Sequence, residues 1–244
     1  MAKAPQRTPV PGPVFIRLLA RLTDVDVPQS THVLSDRLSQ WIDWTRAVAL
    51  SRALDGNVPA AIADAPAFDR VMESECARAR ASLAKAIGEL EWPSAGQRGN
   101  EQHLAGEGGT EAIADYTEFH QRYLGMQRAM QTATGRLRGR LRDMLVHKSP
   151  DLARLAEVDA VMELTLSPRE QTLLAAVPKL LGEHFERLRQ AAQRPSDAQL
   201  TGEAATAMPG EWLRVFRQDM QAVLLAELDV RFQPIEGLLA ALRT

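Results

Sequence analysis

Residues 112–144 read AIADYTEFHQRYLGMQRAMQTATGRLRGRLRDM, and within them Tyr116, Tyr123, Met130, Leu137 and Met144 recur every seven residues. Ala112, Phe119, Met126 and Ala133 fill the complementary heptad position, so one helix face carries a coiled-coil-like apolar seam. Arg140 stands where the next apolar residue belongs, and the seam drifts onto Leu141 and Leu145. Opened by Thr110 and Glu111 and reaching about His147, this helix of about 38 residues would be about 57 Å long at 1.5 Å per residue. That exceeds the width of a compact domain of this size, so part of the helix is expected to project. Tyr and Met suit an interface, one joining a large apolar area to a polar tip and the other being adaptable. An intramolecular hairpin or bundle is the first use expected for the seam; intermolecular pairing is the alternative, for which Tyr116, Phe119, Tyr123, Met126 and Met130 are candidate partner-facing residues.

The same helix carries Arg136, Arg138, Arg140 and Arg142, which form two i, i+4 pairs within barely two turns. With Arg128 and Lys148 added and only Asp143 opposed, residues 128–148 have a formal charge of +5. The four arginines are a candidate anion-binding stripe for an acidic protein or a phosphate, or else a solvated face paired with acids elsewhere in the chain. Nucleic acid is the weaker choice because no stacking aromatic lies between Arg128 and Lys148.

Helical signals continue on both sides. Ser149-Pro150 and Ser167-Pro168 each place a capping hydroxyl before an N1 proline, predicting helices over about 150–165 and 168–193. After a polar connection at 194–208, Pro209 or Gly210 opens a helix to about Phe232, and Pro234 breaks or kinks it before a short terminal helix. Upstream, residues 93–109 hold five of the 15 glycines and no hydrophobic periodicity, which predicts a mobile loop. Asp64 and Pro66 open a helix to about Trp92, and Ser30 or Thr31 caps another running to Leu54, in which Trp41 and Trp44 can both anchor. Residues 1–13 form a flexible tail with Pro5, Pro9, Pro11 and Pro13. A short amphipathic helix follows, with Phe15, Leu18, Leu19 and Leu22 on one face. No acid precedes Asp24, so this end could meet an acidic partner or anionic lipid as well as its own core; Phe15, Leu18 and Leu19 join the candidate interface.

No segment alternates apolar and polar residues between turn signals, so the fold class is all-α. An elongated antiparallel helical bundle of seven to nine helices is expected over 14–244, as one domain. Of 244 residues 45% are hydrophobic and 25% charged, enough for a sizeable core. No uncharged run approaches the ~20 residues of a membrane span. The formal charge of −2 supplies no chain-wide field for nucleic acid or membrane. The lone Cys76 cannot form an internal disulfide and no secretory signal opens the chain, which points to the cytoplasm.

Chemical signatures are weak. A carboxylate three residues before a histidine, as in di-iron bundles, precedes none of His32, His103, His120, His147 or His184. His184 shares a stripe with Val177, Leu181 and Leu188 and reads as a half-buried, satisfied histidine. Cys76 reads as a small packing residue. Gly106 to Thr110 lacks the preceding strand and Gly-Lys-Ser/Thr of a phosphate loop. No catalytic, cofactor-binding or metal-ligating set emerges, and a non-enzymatic role without cofactor is expected.

Val14-Phe15-Ile16-Arg17-Leu18-Leu19, Trp41-Ile42-Asp43-Trp44, Ser167-Pro168-Arg169-Glu170-Gln171 and Gly210-Glu211-Trp212-Leu213-Arg214-Val215-Phe216 resemble a bacterial family defined as a domain of unknown function. The resemblance spans almost the whole chain and brings no site residues with it. It implies genes placed beside a proton-channel-like inner-membrane protein and a peptidoglycan-binding protein similar to outer membrane protein A. It thereby implies a cytoplasmic accessory subunit, peripheral at the inner membrane, that engages the cytoplasmic part of the channel protein. A helical interaction protein, as a homo-oligomer or with such a partner, is thus the leading expectation. A nucleic-acid-binding or regulatory module using Arg136 to Arg142 is the alternative.

Overall fold

The computed structural model describes residues 13–24, 34–55, 70–90, 115–193 and 210–244. The tail at 1–12, the glycine-rich loop at 93–109 and the connection at 194–208 lie outside them. Among the described residues there are eight helices and no strand: α1 (Val14–Thr23), α2 (Leu34–Trp41), α3 (Trp44–Asp55), α4 (Arg70–Gly88), α5 (Tyr116–Lys148), α6 (Pro150–Leu174), α7 (Val177–Gln193) and α8 (Glu211–Arg243).

The seam read from the sequence is the inner face of α5. Phe119, Tyr123, Met130, Leu137, Leu141 and Leu145 are buried, including the two leucines onto which it drifts after Arg140. Burial runs from the first turn of α5 to the last, so no part of the helix projects. The covering surface is α8, the other 33-residue helix, which buries Phe216, Met220, Val223, Leu224 and Phe232 against it. Each such side chain contributes about 1.5–3 kcal/mol on leaving water. At one end α7 adds Phe185, which meets Phe119, Phe216 and Trp212 at ring-centroid distances of 5.7, 5.0 and 5.2 Å. Tyr116 closes this cluster: its ring lies over Gly182, where a Cβ would come within 2.9 Å of Cε1.

Several helix boundaries differ from the expectation; α5, for one, opens at Tyr116 behind the Asp115 cap and not at Thr110. Trp41-Ile42-Asp43-Trp44 interrupts the helix expected through Leu54, because Asp43 Oδ1 accepts the backbone N–H of Arg46 at 2.9 Å and starts α3 afresh. Ser149 caps α6 as expected, accepting from the Leu152 N–H at 3.3 Å. Ser167-Pro168 carries the same signal, yet α6 runs straight through it to Leu174. Pro168 has no N–H for the Leu164 carbonyl, and Arg46 Nη2 donates to that carbonyl instead at 3.3 Å. Past the turn at Ala175 and Ala176, Pro178 likewise cannot serve the Leu174 carbonyl, which accepts from Gln127 Nε2 at 3.2 Å. Pro234 does not end α8 either, and the expected short terminal helix is its last turns.

Candidate functional site

The candidate partner-facing residues of the seam face inward, as the intramolecular reading expects. Phe119, Tyr123 and Met130 are fully buried in the chain's own core, and Tyr116 and Met126 are partly buried against it. In α1, Phe15 is buried and Leu18 and Leu19 pack on the core, because the helix lies across α7 and α8. Arg187 holds it there by donating to the carbonyls of Leu22 and Thr23 at the end of α1. These eight residues therefore build the fold and present no continuous open face.

The arginine stripe is also largely engaged. Arg138 donates Nε and Nη2 to Asp159 at 2.9 and 2.7 Å, Arg142 reaches Asp159 at 3.3 Å and pairs with Glu163, and Arg140 pairs with Glu75 of α4. Arg136 is exposed and pairs with no carboxylate among the described residues. The α6 acids lie opposite the α5 stripe, so the charge that suggested an external anion stitches two neighbouring helices together.

A second polar set gave no signal in the sequence. Glu227 of α8 has no solvent exposure, and its carboxylate accepts from Tyr123 Oη at 2.6 Å, Gln127 Nε2 at 3.1 Å and Arg231 Nε and Nη2 at 2.9 and 2.8 Å. A buried carboxylate is tolerated only with such partners. Burial first, and then the neighbouring Glu227 charge, push the Tyr123 phenol well above its ordinary range, so it stays a donor. Only the i, i+4 spacing of Glu227 and Arg231 was visible beforehand, and it resembles any surface pair.

Arg231 joins this buried set to a cleft. The cleft, about 390 Å³, lies between α6 and α8 over α5 and is lined by Arg138, Glu163, Glu170 and Arg231. Arg231 is itself only 8% exposed, and its Nη1 stands 3.6 Å from Glu170. A different surface forms at α2 and α3. Of the side chains described there only Ala53 is buried; Trp44 is 83% exposed, and Ile42, Ala47, Leu50 and Leu54 line a groove of about 480 Å³. Trp41 is partly covered, with the Arg169 guanidinium 5.2 Å above its ring. This arm packs on α6.

The remaining chemical residues are structural in their surroundings. His184 Nε2 and Asp219 lie 2.9 Å apart, with Arg21 reaching the same carboxylate at 3.4 Å. Cys76 is buried, and burial raises its thiol pKa, which disfavours a reactive thiolate. Among the described residues no three His, Cys, Asp or Glu are grouped to hold a metal ion, and no helix is long and apolar enough to cross a membrane.

No curated protein and no solved structure matches the chain. A family model does, over residues 1–244, under the description "Protein of unknown function (DUF3348)". The seam, the inward-turned α1 and the buried Glu227 set thus describe a member of the DUF3348 family, to which this chain belongs.

Proposed function

We propose that the protein is a helical interaction subunit that binds a protein partner through the α2–α3 arm. The observation that carries this reading is Trp44, 83% exposed on an arm that buries almost nothing of its own. A tryptophan offers roughly 150–250 Å² for burial, and tryptophans are over-represented among residues that dominate binding energy. The adjoining Ile42, Leu50 and Leu54 fit the apolar face of a partner helix. The family resemblance suggests the partner class: the cytoplasmic part of a channel-like membrane protein, engaged at the inner face of the membrane. Engagement of Arg138, Arg140 and Arg142 with the chain's own acids disfavours the nucleic-acid reading.

The test is site-specific photocrosslinking in the native cell, membranes included. A crosslinker at position 51, on the groove beside Trp44, should capture a defined partner, and one at exposed Arg136 should not. Leu54→Glu, combined with the crosslinker at 51, should abolish the capture while leaving the melting temperature unchanged. Equal capture from both positions, or capture that survives Leu54→Glu, overturns the proposal.

A further inference from the structure

Three residues that weaken helices converge on one place. Gly135 of α5, Pro168 of α6 and Pro234 of α8 each disfavour the helix that contains them, and all three line the cleft between α6 and α8. Nothing lies within 4 Å of where a Gly135 Cβ would sit, so this glycine opens onto empty space. Local choices that work against the surrounding element tend to mark functional sites.

The polar lining has a repeated pattern. Arg231 commits Nε and Nη2 to Glu227, and Arg138 commits Nε and Nη2 to Asp159. Each leaves Nη1 against a glutamate of the cleft at long range, 3.6 Å to Glu170 and 3.5 Å to Glu163. Those separations exceed the usual hydrogen-bond range, so both Nη1 groups retain donor capacity for a better-placed acceptor. Arg231 is held rigidly by its buried partners, whereas Glu170 is 42% exposed and free to swing. A simple anion entering here would meet two glutamates, and a simple cation would meet two guanidiniums. A molecule carrying both charges meets complementary groups at each end.

We propose that this cleft binds a small zwitterion bearing a carboxylate and an ammonium group, as amino acids and short peptides do. Its carboxylate accepts from Nη1 of Arg231 and Arg138, and its ammonium takes up Glu170, displaced from its loose contact. Gln131 and Gln171, which also line the cleft, supply neutral donors and acceptors for the rest of the ligand.

The experiment is calorimetric titration of the full chain with the twenty standard amino acids and with trialanine, alongside acetate and methylammonium. At least one zwitterion should bind saturably and at least tenfold more tightly than either single-charge probe. A preference for trialanine over alanine would assign the site to peptides and the reverse to free amino acids. Gly135→Leu, whose Cβ would meet nothing within 4 Å and whose side chain extends from the cleft lining, favours the helix and should abolish binding with an equal or higher melting temperature. Glu170→Gln should weaken binding at least tenfold. The proposal is overturned if no zwitterion binds, if acetate or methylammonium binds as well, or if Gly135→Leu retains the wild-type affinity.

Discussion

The α5–α8 interior and the α2–α3 arm are both built from amphipathic helices, yet α8 buries side chains from Leu213 to Leu242 and the arm buries only Ala53 among those described. The contrast teaches that an apolar stripe announces that a face wants covering without saying what covers it. Length decides part of the outcome. Two 33-residue helices bury a long continuous seam, while the 8 and 12 residues of α2 and α3 are too short to hold a helical pair alone. The interior also encloses polar groups, around Glu227, that must stay paired.

The hardest way to break this contrast is to charge the interior. Tyr123→Glu combined with Met130→Glu puts two carboxylates into the core, at a cost above about 5 kcal/mol, and should abolish the native helical circular dichroism. A variant that keeps native mass and melting temperature would mean the seam is not core. Next in size is Arg231→Met, which strands the Glu227 carboxylate. About 3–5 kcal/mol should be lost, seen as a melting temperature lower by roughly 6–20 °C. Adding Glu227→Leu should restore much of it, since a well-packed apolar pair can replace a buried ion pair. Failure of that rescue would show that Tyr123 and Gln127 need the carboxylate itself.

A pH titration sharpens the same comparison. Burial raises the pKa of both Tyr116 and Tyr123 above that of an exposed tyrosine. The folded chain therefore keeps phenolic protons that the unfolded chain releases above about pH 10, and stability falls with rising pH by up to about 1.4 kcal/mol per unit for each tyrosine. The melting temperature should therefore fall as the pH rises above about 10, and Tyr116→Phe should remove part of that dependence. The smallest effect belongs to the arm: Trp44→Ala should change stability by no more than about 0.5 kcal/mol in chemical denaturation. A larger loss would place Trp44 inside the chain's own packing and remove the basis for an interaction surface.

The helical fold, the heptad face and its drift onto Leu141 and Leu145 were legible because periodicity is a local property of the sequence. The boundary at Pro168 was not. Ser-Pro is a start signal by itself, and what lets α6 continue is Arg46, 118 residues before the Leu164 carbonyl it serves. The buried carboxylate was hidden for the same reason: its partners Tyr123 and Gln127 lie 104 and 100 residues upstream. Trp41 and Trp44 looked equivalent three residues apart. Asp43 ends one helix and starts another between them, and only Trp41 is left under Arg169. The arginine stripe was read correctly as charge, but its destination depended on where Asp159 and Glu163 came to lie.

The two carbonyls left over by proline in α6 and α7 are mended in ways that differ in reversibility. Gln127 reaches Leu174 inside the protein, where no water can substitute for it, so that bond persists until the whole chain opens. Arg46 reaches Leu164 at the surface, where solvent can take over the oxygen at little cost. The first works as a rivet and the second as a latch. Lifting the arm from α6 exposes a carbonyl that hydrates at once, so the arm can detach and re-seat as a local excursion while the interior remains closed. Amide protons of α3 should then exchange with solvent deuterium far sooner than those at the centre of α5.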